Sequence, residues 1–355
     1  MRTKAGRLAA VTSRWDVCPR YVGFFAVVII SVALPLISSP PSKADPDAFA
    51  FNRLLGRGIN LGAALEAPSE GAWGVTLKAD YFQAIEDAGF NSVRIPIRWS
   101  AHALPDPPYT IDPAFFERVD WAIDQALSRN LAVVINVHHY EEMDNDPVKQ
   151  APRLATLWRQ IADRYRDRPQ ALFFELLNEP SEQLTDERWE RIFPDLLQAI
   201  RDSNPFRMVI IGAYWNSLDH LPRLVLPQDD RRLIATFHYY TPLRFTHQGA
   251  SWVANSEGWR GTKWDKDQEG NILRDDFEKA ASWGRQNERP IYLGEFGTID
   301  QAEMESRASW TRAVVREAEK SGFSWSYWEF CASFGAYDPA AKTWRRPLLG
   351  ALLDR

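Results

Sequence analysis

Leu131-Ala132-Val133-Val134-Ile135-Asn136-Val137-His138-His139-Tyr140-Glu141-Glu142 reads as an apolar strand that ends in a polar cluster. The unbroken apolar run 131–135 shows no polar alternation, which describes a strand covered on both faces, as parallel strands are. The histidines and carboxylates that close it are poor core residues and belong at a strand's open end. The same pattern recurs along the chain. Segments 58–65, 92–99, 131–138, 171–177, 208–214, 233–239, 290–295 and 324–329 predict eight strands. Amphipathic segments at 112–130, 152–167, 186–202, 274–288 and 302–320 predict helices between them, and an irregular stretch follows 208–214. Alternating strands and helices imply a parallel sheet, and eight such units close on themselves as a (β/α)8 TIM barrel. By length alone 355 residues suggest two domains, but barrels hold ~250 residues or more in one, so a single barrel over 57–355 is expected.

The N-terminus has a different character. Arg2, Lys4, Arg7, Arg14 and Arg20 precede a mostly apolar run, 21–37, followed by Ser/Pro-rich sequence with small residues at Ser42 and Ala44. Residues 1–44 therefore read as a signal peptide, with an uncleaved membrane tether through 21–37 as the alternative, and 45–56 as a polar linker. Either way the barrel is expected to be secreted or periplasmic. Without the six Lys/Arg and one Asp of 1–44, 36 basic residues face 46 acidic ones, a net charge of −10. An acidic surface argues against nucleic acid and fits a neutral polymer. Cys18 falls in the leader, so Cys331 has no partner for an intramolecular disulfide in the mature chain.

Every predicted strand ends in residues awkward for a core and useful for chemistry. In chain order they are Glu66, Arg94, His138 to Glu142, Asn178-Glu179-Pro180, Tyr214-Trp215-Asn216, His238-Tyr239-Tyr240, Gly294-Glu295-Phe296-Gly297 and Tyr327-Trp328-Glu329. In a barrel these ends converge on one pocket. Carboxylates at the fourth and seventh ends suit glycoside hydrolysis, with Glu179 protonating the leaving oxygen and Glu295 attacking the anomeric carbon. Arg94 is the cation expected to keep Glu295 ionised, with Tyr240 hydrogen-bonded to the same carboxylate. Glu175, four residues before Glu179, lies ~13 Å deeper at ~3.3 Å per residue and is expected to be a hydrogen-bonded interior group. A metal site at His138-His139-Glu141-Glu142 is disfavoured because neighbours on a strand point to opposite faces. No metal and no cofactor are expected. Trp121, Trp158, Trp189, Trp283 and Trp310 fall on helices and are expected to pack in the core; Trp259 and Trp264 could pack or stack on sugar. His102 and His220 are expected at the surface. The long insertion 241–271, with His247 and Trp252, leaves the sixth strand on the side where barrel sites form.

Leu177-Asn178-Glu179-Pro180 and Gly294-Glu295-Phe296-Gly297, with Arg94, His138, His238, Tyr240 and Trp328 on their respective strands, resemble glycoside hydrolase family 5 of clan A. The similarity covers about 57–355 and looks especially close to bacterial endo-β-1,4-glucanases of that family. The resemblance implies that Asn178 binds the 2-hydroxyl of the sugar being cleaved, and that Trp328 lies beneath that sugar. It also implies that His138, His139, Trp215, His247 and Trp252 line neighbouring subsites, with Glu66 reaching a distal hydroxyl. Ala63 departs from the pattern, since the relatives carry Asn there. The activity implied is that of a retaining endo-β-1,4-glucanase acting on a polysaccharide. The rivals are β-mannanase, mixed-linkage glucanase, xyloglucanase or transglycosylase on the same machinery, a metal-dependent barrel hydrolase, and a barrel that binds polysaccharide without cutting it.

Overall fold

The computed structural model describes residues 47–353. The leader, the tether 21–37 and Cys18 lie outside the described residues. Eight parallel strands form a closed barrel: β1 (Arg57–Asn60), β2 (Ser92–Ile95), β3 (Ala132–Asn136), β4 (Leu172–Glu175), β5 (Val209–Ser217), β6 (Leu233–Tyr239), β7 (Ile291–Phe296) and β8 (Ser324–Tyr327). Each pairs with its sequence neighbours, and β8 returns to β1 through Arg57–Trp325 and Ile59–Tyr327. Helices α1 (Ala48–Leu55), α2 (Ala79–Ala88), α3 (Pro113–Leu127), α4 (Glu141–Asn145), α5 (Pro147–Tyr165), α6 (Asp186–Arg201), α7 (Leu243–Thr246), α8 (Lys266–Asn287), α9 (Met304–Lys320) and α10 (Arg346–Leu353) complete the framework. A two-stranded ribbon, β9 (Tyr337–Asp338) and β10 (Thr343–Trp344), follows β8.

The expected barrel is present, with strands mostly shorter than their apolar runs. An apolar run extends past the last ladder bond because the strand end stays covered after pairing stops. Helix α8 begins at Lys266, earlier than the 274 read from the pattern, which shortens the 241–271 insertion. Asp265 caps that start, accepting from the N–H groups of Asp267 and Gln268. Trp158, Trp189, Trp283 and Trp310 are buried, as their helical spacing implies, while Trp121 is packed against the core and partly exposed. Trp264 is buried too.

Residues 48–55 correct the linker reading of 45–56. They form α1, capped by Asp47, which accepts from the Ala50 N–H at 2.9 Å. Ala48, Phe51 and Leu55 join Ala132, Val134, Phe173, Met208, Ile210, Ile234 and Tyr292 in one cluster inside the barrel. Asn52 ties the helix to the strand starts, donating to the Ile291 carbonyl at 3.0 Å and accepting from Ser324 Oγ at 2.7 Å. The i, i+3, i+7 spacing of 48, 51 and 55 is a helical signal hidden in a short segment that follows Pro/Ser-rich sequence. Helix α1 thus seals the barrel floor. Leu55→Ala is expected to destabilise the fold by about 2–5 kcal/mol, the usual range for emptying a buried leucine site. A lowered denaturation midpoint with unchanged kcat would show it, because the site lies at the opposite mouth.

Buried arginines stitch loops to this frame. Arg207 donates to the carbonyls of Pro169, Leu172, Tyr165 and Arg168 at the C-terminal end of α5, at 2.5–3.0 Å. With carbonyls as partners and no carboxylate, burial lowers its pKa to about 10.

Candidate active site

The site is assembled upward from Arg94. Its fully buried guanidinium gives Nε and Nη2 to Glu175 at 2.6 and 3.0 Å, and Nη1 to Glu295 at 2.7 Å. The same two terminal nitrogens reach Asn60 Oδ1 at 2.8 Å and Asn178 Oδ1 at 2.7 Å. One positive charge is thus divided between two carboxylates. Glu175 is the interior, hydrogen-bonded group its depth predicts, and it takes the two-pronged share of the arginine. Glu295 also accepts from the Tyr240 hydroxyl at 2.8 Å. Burial, reinforced by Glu295 and Glu179, holds Tyr240 well above the usual phenol range, so it remains a donor.

Glu179 has a different environment. Its Oε1 lies 2.6 Å from His238 Nδ1, while 27% of its side chain stays accessible from the cleft. Asn216 Nδ2 lies 3.2 Å from His238 Nε2, a contact that suits the tautomer whose proton is on Nδ1, facing Glu179. Burial lowers the His238 pKa to about 4, so the imidazole is neutral near pH 7. Burial pushes Glu179 up to about 7; Arg94 opposes the shift and Glu175 adds to it. Burial raises Glu295 as well, opposed there by the Arg94 charge and the Tyr240 hydrogen bond. Of the two, Glu295 holds the negative charge, because it has a direct contact with the arginine and Glu179 has none. Oxygens of both carboxylates and a His238 nitrogen lie within 4.8 Å of one another. Among the described residues this is the one convergence of metal-type ligands, and hydrogen bonds already occupy it. The His138 to Glu142 string does not converge: the two histidine rings stand at 87° and Glu141 pairs with Arg98.

Local sequence explains the placement. Glu179, Trp215 and Asn216 have φ of +41°, +55° and +43°, a region that costs a side-chain-bearing residue about 1–2 kcal/mol. Three such residues around one carboxylate mark the strain that functional sites carry. The Trp215 N–H donates to the Pro180 carbonyl at 2.7 Å, fastening that turn beside Glu179. The glycines flanking Glu295 are steric necessities. A Cβ on Gly297 would stand 1.9 Å from the Trp328 carbonyl, and one on Gly294 would stand 3.0 Å from His238 Nε2.

The remaining expected residues fall into three groups. His138, with Nδ1 beside Asn136 Nδ2 at 3.1 Å, lies parallel to Trp328 with ring centres 5.5 Å apart. His139 meets His138 edge-on at 4.8 Å. His247 packs against Tyr240, Phe334 and Trp252, whose indole is 61% exposed. Trp215, 45% exposed, borders a cavity of about 390 Å³ with Glu179, His238, Tyr240, Leu243 and Asp276. A larger groove of about 510 Å³, near Phe206 and Asp230, lies at the starts of β5 and β6, away from these groups.

Three expectations need correction. Glu66 is only 1% exposed, and its carboxylate accepts the N–H groups of Ala63 and Ala64, so it shapes its own loop instead of reaching a sugar. Burial raises its pKa to about 8. His220 is half-buried against Asp186 at 2.6 Å, and His102 stacks on Phe115. Sequence reading placed Asn216 at a strand end but gave it no role, whereas it lies against His238, and it passed over Trp73, an exposed indole edge-on to His139. The glycines on either side of Trp73, at 71 and 74, were the available signal.

An eight-stranded (β/α)8 barrel that brings two coupled carboxylates to the ends of β4 and β7 defines the double-carboxylate class of glycoside hydrolases. The family model "Cellulase (glycosyl hydrolase family 5)" matches residues 57–333, and the chain belongs to that family. Endoglucanase H of Acetivibrio thermocellus is 39% identical over 304 residues, which is 85% of this chain and 32% of that protein. The chain therefore spans about a third of that relative's length. Structures of Thermotoga maritima Cel5A with cellobiose and with mannotriose are each 51% identical, cover 86% of this chain and 100% of theirs, and superpose with a TM-score of 0.85.

Proposed function

We propose that the protein is an exported, retaining endo-β-1,4-glucanase acting on β-glucan chains. Glu179 gives its proton to the glycosidic oxygen as Glu295 attacks the anomeric carbon. The C–O bond breaks, the leaving chain departs with the proton, and an ester joins the sugar to Glu295. Glu179, now a carboxylate, takes a proton from water, whose oxygen displaces Glu295 and restores the β configuration. The observation that carries this reading is the spacing of the pair, an oxygen of each within 4.8 Å. Retaining enzymes hold their carboxyls ~5–5.5 Å apart, whereas inverting ones leave ~6.5–9.5 Å for a water.

The supporting roles follow from the contacts. Arg94 and Tyr240 hold the Glu295 charge, and His238 orients Glu179. Arg94 occupies Asn178 Oδ1, which leaves the amide N–H groups to donate to a sugar 2-hydroxyl. Trp328 and Trp215 offer faces to sugars on either side of the carboxylates, with His138, His139, His247 and Trp252 beside them. The likeness to Cel5A with bound mannotriose favours mannan as a second substrate.

Product analysis on carboxymethyl cellulose, barley β-glucan, mannan and xyloglucan tests the reading. Viscosity falling ahead of reducing-sugar release, with β-anomer released first, is expected on the glucans; α-anomer first would overturn retention. Export rests on the basic start and the apolar run 21–37. It predicts a secreted form whose N-terminus lies near residue 45, checked by N-terminal sequencing.

A further inference from the structure

Asn216 is fully buried at the end of β5, and the barrel is shaped around its side chain. Its φ of +43° lies in the left-handed region, which Asn tolerates better than most residues. The pairing of β5 with β6 shifts register between Gly212 and Ser217, around this position. A Cβ on Gly212 would stand 1.8 Å from Asn216 Oδ1, so only glycine leaves room for the amide. Gly294 clears the neighbouring space on β7, where a Cβ would stand 3.0 Å from His238 Nε2 and 2.8 Å from Thr236 Oγ1. Two strands thus give up a side chain where this amide and this imidazole meet, with Nδ2 3.2 Å from Nε2.

The carboxylates lie on the other side of the ring. Nδ1 faces Glu179 Oε1 at 2.6 Å and Glu295 Oε2 at 3.6 Å. Arg94 on β2 and Glu175 on β4 act on the ring with opposite sign, His138 beyond β3 is kept neutral by burial, and the Tyr240 hydroxyl is taken up by Glu295. A neutral ring carries one proton, on either nitrogen, and the choice decides where the proton of Glu179 sits. With the ring proton on Nδ1, Oε1 accepts it. The acid proton of Glu179 then belongs on Oε2, the oxygen left for the cleft. With the ring proton on Nε2, a bare Nδ1 would accept the Glu179 proton across the same 2.6 Å and hold it away from the glycosidic oxygen. An amide N–H opposite Nε2 disfavours that second state, because two buried donors would then meet with no acceptor between them.

We propose that Asn216 is a positioning residue that fixes the tautomer of His238 and so keeps the Glu179 proton on the oxygen that serves the substrate. This rests on the acid/base reading of Glu179 above. Nitrogen NMR of wild-type protein with labelled histidine, with His238 assigned by its loss in His238→Gln, should show a protonated Nδ1 and a bare Nε2. A proton on Nε2 would overturn the proposal whatever the variants do. Asn216→Asp keeps the shape of the side chain and reverses its preference. The new carboxylate draws the ring proton to Nε2 and makes Nδ1 basic enough to take the proton of Glu179. Turnover of polysaccharide is expected to fall about 10²-fold, the low end of what a general acid contributes, while aryl glycosides with acidic phenols lose far less. The decline of kcat/KM expected through about pH 7 should move to lower pH, because an imidazolium beside Glu179 favours its ionised form. A merely structural residue would cost both substrates alike and leave the pH limb in place, and either result would refute the positioning role. Wild-type protein that cleaves no glycan would instead end the glucanase reading, with the ring-nitrogen result still deciding the tautomer.

Discussion

Glu295→Ala is expected to lower kcat on β-glucan on the order of 10⁶-fold, the scale on which removing a covalent nucleophile falls in other enzymes. The variant leaves Arg94 Nη1 and the Tyr240 hydroxyl, at 2.7 and 2.8 Å in the native contacts, facing a gap where the carboxylate was. That gap is lined with donors and suits a small anion. Azide is expected to restore part of the rate on an activated aryl glycoside by attacking the anomeric carbon in the carboxylate's place. A single displacement inverts the centre, so the product is the α-glycosyl azide. A β-azide would assign Glu295 the other role, and full activity in the variant would remove it from the mechanism.

Glu179→Ala should separate substrates by their leaving groups. On polysaccharide, where the departing alkoxide needs a proton, the loss is expected to be about 10²–10⁴-fold. Aryl glycosides with acidic phenols depart without help, so their first step should be nearly intact and the glycosyl-enzyme should accumulate. Azide then attacks that intermediate and gives the β-product. Equal losses on both substrates would argue against an acid role. The same residue sets the pH profile. In the proposed mechanism Glu179 acts in its protonated form, and its pKa is raised to about 7 by burial. In the wild-type protein kcat/KM should therefore decline as pH climbs through about 7, and this limb should vanish in Glu179→Ala on activated substrates. A limb that persists would belong to another group.

The two predictions depend on an asymmetry that sequence reading reached only in part. Arg94 was legible as the cation for Glu295, because one of two neighbouring carboxylates needs a cation beside it to stay ionised. Its larger commitment to Glu175 was not legible, because that contact spans strands β2 and β4 and depends on their register. The position of Glu66 failed for a related reason. Its place near the end of the first strand matched the pattern, but the loop after β1 turns its carboxylate back onto the N–H groups of Ala63 and Ala64. Such a turn is set by backbone torsions, and Ala63 at φ +62° gives no sign of it in its residue type.

The sequence by itself determined the barrel, the order of its strands and the two carboxylates, because strand burial and strand ends leave a one-dimensional record in residue type. Apolar runs mark what both faces bury, and polar residues at their close mark the open mouth. Only the tertiary structure decided that 48–55 seals the floor, that His238 joins Glu179 to Asn216, and that Trp73 stands at the rim. Those facts are distances between segments far apart in the chain. Barrel closure and loop packing fix them, and local patterning carries no record of either.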